Sequence, residues 1–214
     1  MSSEYVYHME DVLDLYHEEY DPENPVVCFD EMPYQMLSET REPLPMEPGV
    51  VERQDYEYKR EGTCNIFMFF QPLAGWRQVN VTEQRTKVDF AYCMKELVEV
   101  KFPNATKIRV VLDNLNTHTL GSLYEAFEPA EAKRLADKLE FRFTPKHGSW
   151  LNMAELELSV LSRQCLNRRL GTQELVQSES NAWAESRTEK KSKVDWRFST
   201  QDARKKLSRL YPKL

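Results

Sequence analysis

Carboxylates supply most of the chemistry this sequence can offer. Asp30 closes the run Val26-Val27-Cys28-Phe29, Asp113 closes Ile108-Arg109-Val110-Val111-Leu112, and Glu155 follows Leu151-Asn152-Met153-Ala154. Carboxylates at the ends of adjacent strands can converge, and converging like charges repel unless a divalent cation lies between them. The pattern points to a magnesium site on an α/β sheet, and phosphoryl-transfer chemistry follows from that. Two choices stay open at this level. Glu31 adjoins Asp30, and neighbours in a strand face opposite sides, so only one of them can serve a given site. Glu155 and Glu157 flank the helical stripe Leu151, Ala154, Leu158, Leu161 and Cys165, one at each edge, and periodicity does not choose between them.

The elements that must position these groups follow from patterning. Residues 4–20 form a helix, with Tyr5, Met9, Val12, Leu13 and Tyr16 at helical spacing. Asp21-Pro22-Glu23-Asn24-Pro25 ends it and launches a strand at Val26. A proline-rich loop is expected from Pro33 through Pro43, Pro45 and Pro48 to Gly49. Cys64 to Phe70 and Trp76 to Val81, joined by a short link, read as an antiparallel hairpin. A helix over Lys87–Val100, a strand at 107–112 and helical segments within 119–138 come next. A strand, Leu139 to Phe143, ends at Thr144-Pro145, and a helix runs from near Trp150 to about Arg169. Further helices are expected over 173–188 and 201–210, the latter capped by Ser199-Thr200, with a short strand at Val194–Phe198 between them. A hairpin followed by alternating strand and helix is the pattern of one α/β domain with a mixed sheet.

Composition narrows the partners. The 214 residues are 41% hydrophobic and 30% charged, ordinary values for a soluble globular domain. No apolar run approaches the roughly 20 residues that span a bilayer, so no membrane partner is expected. The polar, acidic start is no secretory signal, and Cys28, Cys64, Cys93 and Cys165 lie too far apart for a zinc motif. They read as buried apolar groups in a reducing cytoplasm. The net charge of -6 argues mildly against nucleic acid, but it is unevenly spread. Residues 151–214 carry 13 Lys+Arg against 8 Asp+Glu, a net +5, leaving -11 on residues 1–150. A basic C-terminal third is compatible with DNA contact through one face, and equally with a solvated helix surface.

Flanking residues add a family resemblance. Val-Leu-Asp113-Asn114-x-x-x-His118 and His147-Gly148-Ser149-Trp150-Leu151-Asn152-x-x-Glu155 resemble the second and third catalytic blocks of DDE transposases. The nearest branch is the bacterial insertion-sequence group of the mariner-like superfamily. Val-Val-Cys-Phe-Asp30-Glu31 resembles its first block, and the tail from Asp195-Trp196-Arg197 to Tyr211-Pro212 resembles its end. The resemblance implies a ribonuclease H-like fold: a mixed five-stranded sheet with flanking helices and a helical C-terminal extension. It implies Asp30, Asp113 and Glu155 as catalytic, metal-binding residues for two Mg²⁺ ions, with Mn²⁺ able to substitute; Glu31 and Glu157 become neighbours.

The activity implied is metal-dependent DNA cleavage at transposon ends and strand transfer into target DNA. The implied partners are double-stranded DNA and a second copy of the chain in a homodimer, in a bacterial cytoplasm and at the nucleoid when DNA is bound. His118, His147, Ser149, Trp150, Asn152, Arg163 and Arg168 are the candidate DNA contacts, by phosphate capture at a helix start, base stacking or backbone pairing. Surface or core roles compete for each of them. The expected organisation is a linker helix at 1–24, a catalytic domain at 25–170 and a helical extension at 171–214.

Two departures stand out. The 41 residues between Asp113 and Glu155 exceed the family's usual interval, and the excess is expected within Glu125–Lys138. The N-terminal helix-turn-helix region of full-length relatives is also missing, so the chain is expected to be an excised domain, half of a split frame or a degraded copy. Two rival functions remain: a ribonuclease H-like nuclease or resolvase without strand transfer, and a non-catalytic DNA-binding or assembly module derived from a transposase.

Overall fold

The computed structural model describes residues 3–41, 49 and 56–212. Pro43, Pro45 and Pro48, expected in a loop, lie outside the described residues. Helix α1 (Ser3–Tyr16) buries Tyr5, Met9, Val12, Leu13 and Tyr16, the stripe expected from spacing, and stops at Tyr16 rather than near residue 20. Strands β1 (Val26–Glu39), β2 (Tyr58–Gln71) and β3 (Trp76–Thr82) form an antiparallel meander. Helix α2 (Lys87–Glu96) opens with a capping box, Thr86 to Asp89, and ends in a wider turn over Leu97–Lys101. Strand β4 (Ile108–Leu112), helices α3 (Gly121–Ala126) and α4 (Pro129–Lys138) and strand β5 (Leu139–Phe143) follow.

The sheet order is β3-β2-β1-β4-β5, with β4 parallel to both β1 and β5. This is the mixed five-stranded sheet with flanking helices expected above. Alternation divides its side chains between two cores. Cys28, Ile66, Met68, Phe70, Val79 and Val111 face one layer, and Val27, Phe29, Phe67, Phe69, Val110 and Leu112 face the other. The first layer holds α1, α5 (Met153–Leu161), α6 (Gln173–Glu189) and α7 (Thr200–Lys206); the second holds α2, α3 and α4.

Glutamine side chains of α6 close the exposed edge at β3. Gln177 accepts from the Val81 N–H at 2.7 Å and donates to Val79 O at 2.9 Å, while Gln173 donates to Val81 O at 3.2 Å. Edge groups that would otherwise invite another strand are thereby paired.

Other elements also differ from expectation. Strand β1 continues through Pro33, where a loop was expected. The Glu31 N–H bonds to its own neighbour, Asp30 Oδ1, at 2.9 Å, not to β2. Pro33 has the same orientation two residues on, so its missing N–H removes no ladder bond. The helix expected from Trp150 to Arg169 is divided into a 3₁₀ turn (Ser149–Leu151), α5 and a wide turn (Ser162–Leu166). Residues 194–198 form no strand; Val194 N–H donates to Pro72 O at 3.1 Å, and Val194, Trp196 and Phe198 pack on the first core.

Candidate active site

Register brings two of the carboxylates level. The β1–β4 pairing ends at Cys28 with Val111, and Asp30 and Asp113 each lie two residues beyond it. Parallel neighbours are about 4.8 Å apart, and a step of two keeps a side chain on one face. Both carboxylates therefore emerge on the face of Cys28 and Val111, the layer that contains α5. Asp30 is not at the end of its strand, as expected, but in the middle of a long one, at the point where its parallel partner stops.

Glu155 reaches the same place from the helix side. Asn152 caps α5, its Oδ1 accepting the Ala154 N–H at 3.1 Å, while its Nδ2 donates to Phe29 O at 2.8 Å. One buried side chain thus pins the start of α5 to the backbone beside Asp30. Tyr16 of α1 adds a second tie, donating to Leu151 O at 2.7 Å with its oxygen 3.2 Å from Cys28 Sγ. The loop before it is narrow at Gly148, where an added Cβ would meet the Pro145 ring at 2.5 Å. Only glycine lets the chain double back there.

Burial separates Glu155 from Glu157. Glu157 is 2% exposed and paired with Arg77 Nε at 2.8 Å and Arg187 NH2 at 3.1 Å, on the side toward β3 and α6. Glu155, in the first turn of α5, is exposed and its carboxylate has no partner among the described residues. Asp30, Asp113 and Glu155 line one open cleft of about 410 Å³, with Thr144, Ser149, Asn152 and Ser162.

The electrostatics of the cleft are unbalanced. Burial, then the charges of Glu31, Asp113 and Glu155, push the Asp30 carboxyl up to about 7, against the Glu31 N–H bond that lowers it. Asp113 moves the other way: its own burial is outweighed by His118, and its carboxyl lies below the ordinary range. His118 Nδ1 is 2.6 Å from Asp113 Oδ1, which also accepts the Leu115 N–H at 3.2 Å. Its Nε2 is 3.0 Å from Glu31 Oε2, an ion-pair distance, although neither atom has a well-directed hydrogen bond. Burial opposes charge on this imidazole, but the two carboxylates raise it to about 9. Glu31 also borders the cleft, but its carboxylate approaches His118, as alternation with Asp30 leads one to expect.

Three hard oxygen donors around an excess of negative charge suit Mg²⁺ or Mn²⁺. Among the described residues no group of three or more His, Cys, Asp or Glu side chains is already gathered as a cation cage. The donors share the cleft without yet meeting at one point.

The other candidate residues scatter in role. His118 and Asn152 are each 1% exposed and hydrogen-bonded within the fold, so neither offers a surface to DNA. His147 and Ser149 are exposed; Ser149 lines the cleft, and His147 is in the left-handed region at φ 65°. Trp150 is 39% exposed and stacks on Trp196, ring centres 6.2 Å apart. Arg168 pairs with Glu179, whereas Arg163 is exposed with no ion pair among the described residues. Sequence reasoning took Asn152 for a DNA contact and missed its part in seating Glu155; an Asn three residues before an acidic helix residue is an N-cap signal that points to it.

Residues 25–177 match the family model of the DDE superfamily endonuclease. The chain belongs to that family. Among curated proteins, none matches it in sequence. Its fold is that of solved transposase structures. A Mos1 mariner paired-end complex with manganese superposes with a TM-score of 0.56 at 11% identity, over 90% of this chain and 62% of that one. A Mos1 strand transfer complex gives 0.54 at 11% identity, over 88% and 58%. A mariner Mos1 paired-end complex with magnesium gives 0.53 at 13% identity, over 87% and 56%. The likeness shows the ribonuclease H-like fold for this DDE family member, which spans about three fifths of those chains.

Proposed function

We propose that this chain is the catalytic domain of a DNA transposase, cutting at transposon ends and joining the freed 3′-hydroxyl to target DNA. The observation that carries the proposal is the convergence of Asp30, Asp113 and Glu155 on one cleft, from a paired strand register and a capped helix. Asp30, Asp113 and Glu155 hold the Mg²⁺ or Mn²⁺ ions, two in the full site. Bound there, the metal lowers the pKa of an attacking water or hydroxyl and neutralises charge on the phosphate. The protein contributes placement. Asn152 and Tyr16 seat the Glu155 helix, Thr144 and Ser149 line the floor and rim, and Glu31 and Glu157 stay outside the ligand set.

Double-stranded DNA is the proposed substrate, met by Ser149 of the cleft and by the exposed side chains of His147, Trp150 and Arg163, with a second copy of the chain completing the active complex. The proposed organisation remains a linker helix at 1–24, a catalytic domain at 25–170 and a helical extension at 171–214. Asp113→Asn tests the central assignment. It keeps size and hydrogen bonding but removes a ligand charge, so Mg²⁺-dependent cleavage of a transposon-end duplex should fall by at least about 10³-fold with the melting temperature nearly unchanged. Retained cleavage would rule out Asp113 as a ligand. Joined strands among the wild-type products identify a transposase, and hydrolysis alone identifies a nuclease.

A further inference from the structure

The pair Glu31 and His118 is left without a role by the metal site, yet both side chains are almost wholly buried beside it: 2% and 1% exposed. His118 packs edge-on to Phe29, ring centres 5.3 Å apart, and against Phe90 at 5.0 Å. An apolar wall of this kind is a poor place for an imidazole and a carboxylate unless they serve each other or a third group. The third group is Asp113. His118 Nδ1 approaches Asp113 Oδ1 at 2.6 Å, Nε2 approaches Glu31 Oε2 at 3.0 Å, and the Leu115 N–H adds 3.2 Å to the same Asp113 oxygen. Asp113 Oδ1 therefore has two donors from the protein, and no hydrogen bond to Oδ2 is found among the described residues. Among the described residues Arg85, 54% exposed, is the other cation facing Glu31, at 3.9 Å.

We propose that Glu31 and His118 are positioning residues that fix the rotation of the Asp113 carboxylate, so that Oδ2 alone is presented to the divalent cation. Glu31 holds the imidazole from behind, the imidazole holds Oδ1, and the carboxylate is oriented before metal arrives. Ligands oriented by an outer layer of hydrogen bonds bind metal about 10- to 100-fold more tightly than the same ligands without it. The inference rests on the reading of Asp113 as a metal ligand and extends it to two residues that never touch the ion. It also accounts for the acidic neighbour of Asp30: alternation directs Glu31 to the opposite face, where it reaches His118.

The test uses the full chain and Mn²⁺ alone, followed by titration calorimetry and by the Mn²⁺ electron paramagnetic resonance signal. An asparagine amide nitrogen occupies the place of imidazole Nδ1, whereas a glutamine amide reaches the place of Nε2. His118→Asn should thus hold Mn²⁺ affinity within about threefold of wild type, while His118→Gln and His118→Ala should weaken it about 10- to 100-fold. A purely structural histidine predicts the same effect for all three, since each removes the ring from Phe29 and Phe90. Equal Mn²⁺ affinity across the three folded variants overturns the proposal. Glu31→Gln keeps the ring packed and should weaken Mn²⁺ binding severalfold; if no His118 variant folds, unchanged binding in Glu31→Gln overturns it. Failure of wild-type protein to bind Mn²⁺, or undiminished binding by Asp113→Asn, would instead overturn the metal-site reading itself.

Discussion

Asp30 and Asp113 are the same residue type on the same face, yet their surroundings push them apart. Asp30 has burial and three neighbouring carboxylates against it and one backbone N–H in its favour, so it holds a proton up to about pH 7. Asp113 has His118, so it stays ionised well below that. A folded-state pKa raised above its unfolded value of 3.8 means that protonated Asp30 favours the fold. That contribution is full at low pH and is lost as pH rises from about 4 to about 7. Above this window a buried carboxylate is uncompensated, and a divalent cation offsets it. In chelator, the melting temperature should therefore fall between pH 5 and 8 more steeply for wild type than for Asp30→Asn. The increase produced by Mn²⁺ should be larger at pH 8 than at pH 5, because at pH 5 the ion must displace a proton. An equal increment at both pH values, read by differential scanning calorimetry, would refute this account of Asp30.

At the scale of elements, the site depends on how α5 is rotated about its own axis. The buried Glu157 sits between Arg77 of β3 and Arg187 of α6, and this triad turns the opposite edge of the helix, with Glu155, toward the cleft. Removing one member leaves a buried charge unpaired, at a cost of about 3–5 kcal/mol. Glu157→Ala should therefore lower unfolding free energy by that amount in urea melts, a larger loss than Glu155→Ala, which removes an exposed and unpartnered side chain. The ranking of the two variants for cleavage should be the reverse in conditions where both are folded. Asn152→Ala combines a lost helix cap, worth about 0.5–2 kcal/mol, with an unsatisfied Phe29 carbonyl. It should reduce both stability and Mn²⁺ affinity.

At the scale of the whole molecule, the termini close on each other across the first core. Glu10 of α1 pairs with Arg204 of α7 at 2.7 Å and accepts from the Tyr211 hydroxyl at 2.8 Å, and Tyr16 packs on Trp196, ring centres 5.7 Å apart. Helix α1 buries Tyr5, Met9, Val12, Leu13, Leu15 and Tyr16. At about 1.5–3 kcal/mol for each large apolar side chain, its burial is comparable with the entire stability of a domain, about 5–15 kcal/mol. Deleting residues 1–17 should abolish the cooperative thermal transition, and a retained transition near the wild-type temperature would show that α1 is dispensable. Four arginines of the basic C-terminal third are paired with acids, Arg168 with Glu179, Arg169 with Glu39, Arg187 with Glu157 and Arg204 with Glu10. Arg169 and Arg204 pair with acids outside that third, so part of the +5 that suggested a DNA face is used in holding elements together.

The amino-acid order by itself determined the alternation of elements, the hairpin, the mixed sheet and the short set of acidic residues from which a metal site could be built. These are legible because they depend on near neighbours: period-two and period-3.6 patterns, the cap at Ser199, and breakers such as Pro22 and Pro25. Periodicity did not choose Asp30 over Glu31 or Glu155 over Glu157, since alternation says only that the members of each pair face apart; the resemblance of the flanking blocks implied Asp30 and Glu155. What distinguishes the members physically is the tertiary structure, which laid α5 on the Cys28 face of β1 and buried Glu157 against two arginines. It is also tertiary structure that let β1 run on through Pro33, because β4 stops short and no strand there needs the missing N–H. Local pattern placed the carboxylates on their elements; long-range packing decided which of them face the cleft.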